Sequence, residues 1–372
     1  MSGLDRIART RRRLRLSLPA WRQLARSLDS HGVRLAWRVY LSYWLDSLVH
    51  SLLFRIQYAS HVDKLDGAVC PPPLFLLGFW RSGTTFLHEL FCCDPRFGYP
   101  STYACLNPSH FLLTEQWVRK HKVHEPSRRQ MDDMQYSWAS PQEDEFALLA
   151  LGAPSAYQAL LVPSMMRDVR ALLDLCHQPQ KDQDRWAEAL RYFMRLLTVQ
   201  QGKPMIFKSP PHGFRLPLLQ SLFPQARYVV IQRNPYEVFA SNLKLWSTLL
   251  EMYSLESPKD GEIETFILDA YVLHEHVLAE GARKLESQLA RITYEELVAD
   301  PIGQMARIYD ELELGDFDQV QHRLEQYVKS VASHKRNRFQ VSLVQKDRID
   351  AVWGDLIRKK GYSWTDQYIT IG

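Results

Sequence analysis

Cysteine is sparse in this chain. There are five, at Cys70, Cys92, Cys93, Cys105 and Cys176, an odd number with no Cys-x-x-Cys spacing. That pattern argues against a disulfide scaffold and against a cysteine zinc site, and it suits a reducing, cytoplasmic setting. The adjacent Cys92-Cys93 pair reads as helix packing. Long apolar runs are also missing. Val33 to Tyr58 is rich in Trp, Tyr and Leu, but Arg34, Arg38, Asp46 and Arg55 interrupt it, so no stretch of about 18 uncharged apolar residues is left to span a bilayer. Nor is there an internal repeat or a long low-complexity segment. Basic charge is confined to one end. Residues 1–38 hold ten arginines against Asp5 and Asp29, a local balance of +8 where the whole chain carries +4. The main body is therefore slightly acidic and offers no basic face for nucleic acid. Thr10-Arg11-Arg12-Arg13-Leu14 superficially resembles a twin-arginine signal, but no apolar stretch with a cleavage site follows directly.

What is present is a globular composition. With 372 residues, 46% of them hydrophobic, the chain can bury a large core. Its sharpest stretch is Leu74-Phe75-Leu76-Leu77-Gly78-Phe79-Trp80-Arg81-Ser82-Gly83-Thr84-Thr85-Phe86-Leu87. A buried strand, a glycine-containing turn and the start of a helix follow one another. The free N–H groups of a first helical turn make an anion site, and the helix dipole favours negative charge there. Gly78 and Gly83 have the spacing of a P-loop, but Thr84 stands where that motif has lysine, while Thr85 keeps the hydroxyl position. A loop without that lysine is poorly equipped to split a γ-phosphate, yet it can cradle a shorter 5′-linked anion.

A second strand, Tyr228–Gln232, ends in Arg233-Asn234-Pro235-Tyr236-Glu237-Val238-Phe239-Ala240-Ser241. Asn234 suits an N-cap, Pro235 the first helical position, and Glu237 could close a capping box. A third strand, Met205-Ile206-Phe207, runs into Lys208-Ser209-Pro210-Pro211-His212. Open α/β sheets bind ligands at the carboxyl ends of their strands, so Lys208 should face the same crevice. In Ser140-Pro141-Gln142-Glu143-Asp144-Glu145-Phe146, three acids precede an apolar helical run. They read either as dipole-favoured acids at a helix start or as the source of a general base.

Arg-Ser-Gly-Thr-Thr after a buried strand, with Arg233 and Ser241 at their spacing, resembles the sulfotransferases that use 3′-phosphoadenosine 5′-phosphosulfate (PAPS). The resemblance covers roughly residues 70–365. It implies an α/β fold with a central parallel β-sheet flanked by helices, P-loop NTPase-like, and division into a basic N-terminal helical extension (1–69) and a sulfotransferase domain (70–372). It further implies that Arg81, Ser82, Gly83, Thr84, Thr85 and Phe86 form the 5′-phosphosulfate loop, and that Arg233 and Ser241 bind the 3′-phosphate. Lys208 would stand beside the sulfate and the bridging oxygen. The acceptor proton would go to His212 or to an acid, Glu143 or Glu145. The tyrosylprotein branch places a glutamate soon after the first loop, where this chain has Phe97-Gly98-Tyr99-Pro100. The partners so implied are PAPS and a hydroxyl-bearing acceptor, a glycan, lipid or small molecule, with no metal required. A nucleotide kinase or triphosphatase, or a non-catalytic nucleotide-binding scaffold, remains open on the same architecture.

The tail resembles the family too. Arg291–Pro301 looks like its late strand and following loop, and Ser333–Phe339 and Arg358-Lys359-Lys360-Gly361 are basic clusters. They fit either a cover over the 3′-phosphate or solvated helix ends. Val33–Tyr58 is expected to pack as a helix on the catalytic domain; the competing arrangement is a peripheral helix at an anionic membrane, with Trp37 and Trp44 at headgroup depth. Cys70-Pro71-Pro72-Pro73 then serves as a stiff linker into the first strand.

Overall fold

The computed structural model describes residues 15–121, 127–128, 135–285, 287–332 and 341–364. Thr10–Arg13 and the Ser333–Phe339 cluster fall outside them. Four strands make one sheet: β1 (Leu74–Leu77), β4 (Ile206–Lys208), β5 (Arg227–Gln232) and β6 (Leu289–Thr293), in the order β4-β1-β5-β6 with every pairing parallel. Among the described residues, two short strands, β2 (Ser127–Arg128) and β3 (Gln135–Tyr136), pair antiparallel apart from that sheet. β1 is buried along its whole length, which is why it reads as a continuous apolar run and not as an alternation.

Alternate β1 side chains feed two cores. Phe75 stacks between Phe207 and Tyr228, with ring centroids 5.6 and 5.8 Å away, in the cluster that also holds the helix Gln180–Gln201. Leu74 and Leu76 face Leu87, Leu90 and Phe91 of the helix Thr84–Phe91. A third core gathers Phe79 and Trp80, just past β1, with the helices Pro235–Tyr253 and Glu262–Ala282. Trp21, Leu24 and Leu28 of the helix Leu18–Ser30 belong to that same core. Residues before the proline linker are thus packed into the same body as the nucleotide-type loop.

The register positions the site. Leu76 lies opposite both Lys208 and Val229, so the carboxyl ends of β1, β4 and β5 finish side by side. One expectation changes here. After β6 the chain does not enter a loop but a helix, Tyr294–Ala299, held by a capping box between Thr293 and Glu296, and then a second helix, Pro301–Glu311. Thr-x-x-Glu is a helix start whose signal is legible in the sequence.

Candidate active site

Gly78 opens the loop because nothing larger fits. A Cβ there would lie 2.5 Å from Ser82 Oγ and 2.8 Å from the Ile231 carbonyl oxygen. Gly83, at the helix N-cap, has φ +100°, and a Cβ would meet the Tyr294 ring at 2.4 Å. Arg81 also takes a positive φ, 67°, which a non-glycine residue adopts only at a cost of order 1 kcal/mol or more. The turn so formed aims the start of the helix Thr84–Phe91 at the strand ends. Ser82 Oγ is buried and has no hydrogen-bond partner among the described residues. A buried hydroxyl without a partner, beside a helix N-terminus, fits an anion that would complete it. Phe86 is different: its ring packs toward Tyr327, with centroids 6.5 Å apart, so its side chain serves the core.

The two arginines meet around Ser241. Arg81 Nε donates to Ser241 Oγ at 2.7 Å, and Arg233 Nη1 donates to the Arg81 carbonyl oxygen at 3.3 Å. Arg233 also stacks over Tyr294, 4.4 Å from the ring centroid. Its guanidinium is held by Glu237 through Nε at 2.9 Å. Glu237 is therefore engaged with Arg233 and does not close the expected capping box; Asn234 caps the helix alone, accepting from Tyr236 N at 3.0 Å. The C-terminal segment lies against the same helix start. Trp364 meets Tyr236 edge-on at 4.8 Å, and Tyr362 donates to Glu295, whose other oxygen accepts from Asn234 N. Of the basic tail, Lys360 is bound to Glu275 at 2.6 Å, and Arg358 pairs with Asp355.

The three successive acids go to three different bases. Glu143 Oε1 accepts from Lys208 Nζ at 2.7 Å, Asp144 Oδ2 faces His212 Nε2 at 2.8 Å, and Glu145 accepts twice from Arg215, at 2.7 and 3.1 Å. Lys208 ends β4, and His212 and Arg215 lie in the turn Pro210–Arg215 that leaves it, so two chain segments zip together charge by charge. Only the first pair reaches the strand-end crevice. The side chains of Asp144 and Glu145 are 0% exposed, whereas that of Glu143 is 18% exposed. His212 is 0% exposed, with its ring against Phe75 and Trp186. The structure brings Lys208 and Glu143 together; it sets His212 and Glu145 into the core beneath them.

Two participants carry no motif. Tyr157 donates to Glu143 Oε2, and Trp80 Nε1 donates to the Tyr157 oxygen at 3.2 Å. Burial, reinforced by the Glu143 charge, pushes the Tyr157 phenol well above its usual range, so it stays a donor at neutral pH. Trp80 is itself fixed by Asn242 Nδ2, which donates to its carbonyl oxygen at 2.8 Å. Among the described residues, no cluster of three or more His, Cys, Asp or Glu is placed to hold a metal ion.

A parallel sheet with a glycine loop and helix start at the end of β1, and a Lys–Glu pair at the end of the neighbouring β4, is an architecture of the P-loop-like α/β class. The sulfotransferase family model matches residues 72–319, and the chain belongs to that family. It is accordingly an enzyme, a sulfotransferase. It is 34% identical over 330 residues to the omega-hydroxy-beta-dihydromenaquinone-9 sulfotransferase Stf3 of Mycobacterium bovis, covering 88% of this chain and 84% of that protein. Two solved folds are similar: sulfotransferase STF1 of Mycobacterium tuberculosis (TM-score 0.63, 18% identity, 91% of this chain and 92% of that one) and STF9 of Mycobacterium avium (TM-score 0.62, 19% identity, 84% and 82%).

Proposed function

We propose that the chain moves a sulfuryl group from PAPS to the hydroxyl of an isoprenoid-type lipid acceptor, with Glu143 as the general base. The acceptor class follows the name of the mycobacterial relative, an omega-hydroxylated menaquinone sulfotransferase. The observation that carries the base assignment is the unequal exposure of the three acids. Asp144 and Glu145 are fully enclosed and paired, while Glu143 alone meets solvent at the end of β4.

PAPS supplies an activated sulfur–oxygen bond whose cleavage leaves adenosine 3′,5′-bisphosphate. The loop N–H groups from Ser82 to Phe86, with the Ser82, Thr84 and Thr85 hydroxyls, hold the 5′-phosphosulfate end. Arg233 and Ser241 hold the 3′-phosphate, and the hydrogen bond from Arg81 to Ser241 supports a position for Arg81 between the two ends. Sulfuryl transfer resembles phosphoryl transfer in needing an in-line approach and stabilised charge. Glu143 takes the acceptor proton as the new oxygen–sulfur bond forms, and Lys208 meets the charge gathering on the bridging oxygen as the old bond breaks. Tyr157 and Trp80 keep the Glu143 carboxylate oriented. No metal is needed, since no triphosphate charge must be neutralised. The setting is cytoplasmic, with peripheral membrane contact aided by the arginine-rich N-terminus.

The test is Glu143→Gln. General-base loss should lower kcat by about a hundred- to ten-thousandfold. Affinity for adenosine 3′,5′-bisphosphate should stay within about threefold, because the carboxylate meets the acceptor and not the nucleotide. Undiminished kcat would remove Glu143 from the mechanism.

A further inference from the structure

The helix Trp37–Asp66 is turned the wrong way for water. Its inward face buries three polar side chains, Ser47, His50 and Gln57, beside Tyr43 and Leu65. Gln57 is fully enclosed, donating to the Pro108 carbonyl oxygen at 2.9 Å and accepting from Leu112 N at 3.0 Å. His50 stacks on His110, with ring centroids 5.5 Å apart. The outward face carries Trp37, Leu41, Trp44, Leu45, Leu48 and Leu52, with Trp37 69% and Leu52 60% exposed. Their steps of three and four residues keep them on one side of the helix. The expected packing on the catalytic domain therefore occurs, but through the polar side, while the aromatic stripe faces out. A helix that only had to fold in water would show the reverse arrangement.

From Trp37 to Ile56 the charge on that face is one-signed. Arg38 and Arg55 are exposed at its two ends, 17 positions and thus roughly 26 Å apart along the axis. The acid between them, Asp46, sits at the flank and faces His50 at 3.7 Å. The helix Phe111–His121, which meets the inward face through Leu112, carries a further exposed aromatic, Trp117, 58% exposed. Between Trp37 and Ile56, an apolar strip with Trp at one end, an arginine near each end and no acid on the outer face matches a lipid leaflet with acidic headgroups; Asp63 and Asp66 follow on that side only in the last turns of the helix.

We infer that the outer face of residues Trp37–Ile56, in the helix Trp37–Asp66, lies in the headgroup layer of an anionic membrane and seats the enzyme there. Trp37, Trp44, Leu48 and Leu52 enter the acyl boundary, and Arg38 and Arg55 meet phosphate oxygens. This surface is distinct from the arginine-rich tail and stands without the acceptor assigned above.

Vesicle flotation of the full chain tests it, comparing phosphatidylcholine with phosphatidylcholine containing phosphatidylglycerol. The two arginines should raise partition onto the acidic vesicles by about thirtyfold. Leu48→Glu/Leu52→Glu should lose at least tenfold of that partition while keeping the wild-type circular dichroism and melting temperature. Arg38→Gln/Arg55→Gln should erase the preference for the acidic vesicle. Three results overturn the inference: no flotation of the wild type, equal flotation on both vesicles, or a wild-type dimer that Leu48→Glu/Leu52→Glu dissociates, which would make the face a contact between copies. Failure of the nucleotide to bind would count against the proposed reaction and leave this surface untouched.

Discussion

At the scale of single residues, Arg233 is tied to the Arg81 carbonyl at the end of β5, with Glu237 on its guanidinium. On the proposed reading Arg233 meets the 3′-phosphate, so Arg233→Ala should raise the dissociation constant of adenosine 3′,5′-bisphosphate by about ten- to a hundredfold, the worth of one charge-assisted contact. It should change affinity for adenosine 5′-phosphosulfate, which lacks the 3′-phosphate, by no more than about twofold. Calorimetric titration of the variant with both ligands is the measurement. Equal losses would remove the 3′-phosphate from Arg233. Lys208→Ala should leave both dissociation constants nearly unchanged and lower turnover, since its partner is charge that develops during transfer.

At the scale of elements, the three-rung contact between Glu143–Glu145 and the turn after β4 separates structure from chemistry. The rungs look equivalent in sequence, yet their depths differ. The Glu145–Arg215 pair is enclosed, with Arg215 also over the Trp186 ring at 4.9 Å and the Ala156 N–H on Glu145 at 3.2 Å. Removing one member of such a pair strands a buried charge and costs about 3–5 kcal/mol. Glu145→Ala and Arg215→Ala should each destabilise the protein by that amount in urea unfolding. The double substitution Glu145→Met/Arg215→Met should recover part of the loss, because no lone charge remains. Glu143→Gln should change stability far less, as its side chain reaches solvent. A Glu145→Ala protein with wild-type stability and no turnover would reverse the two assignments. His212 follows the same logic: Asp144, though burial opposes its ionisation, is held below the usual carboxylate range by the His212 charge and hydrogen bond. That pair fastens the rung between the other two.

At the scale of the whole molecule, the elements legible in the sequence are those whose signal is local. The apolar run of β1, Gly78 and Gly83, the β-branched β5 and the Asn234-Pro235 cap each state their conformation in a few residues, and all appear as read. The partners that decide chemistry are distant in the chain. Lys208 meets Glu143 across 65 positions, and Tyr157 reaches it across 14 with the helix Glu145–Leu151 between them, so no spacing rule marks them. The helix Trp37–Asp66 shows the same limit, because its apolar side is plain in the sequence but the side it packs with is not. The chain end is also joined at long range. Lys360 Nζ lies 2.6 Å from Glu275, in the middle of the helix Glu262–Ala282. Burial alone would raise the Glu275 carboxyl, but the His274 hydrogen bond and the Lys360 charge outweigh it and hold it at about 2. A folded pKa below the unfolded one, which is near 4.3, means the pair stabilises fully above about pH 4.3 and ceases to do so as pH falls toward 2. Urea unfolding between pH 6 and 2.5 should show this loss. In Lys360→Met the part supplied by the ammonium should be missing at pH 6, and the pH slope below 4.3 should be shallower. Because the residues that follow Lys360 lie against Tyr236 and Glu295, the same acid step should loosen the cover over the Arg233 end of the site. Affinity for adenosine 3′,5′-bisphosphate would then fall between pH 4.3 and 2.5 more steeply in the wild type than in Lys360→Met; parallel curves would disconnect the C-terminal anchor from the nucleotide site.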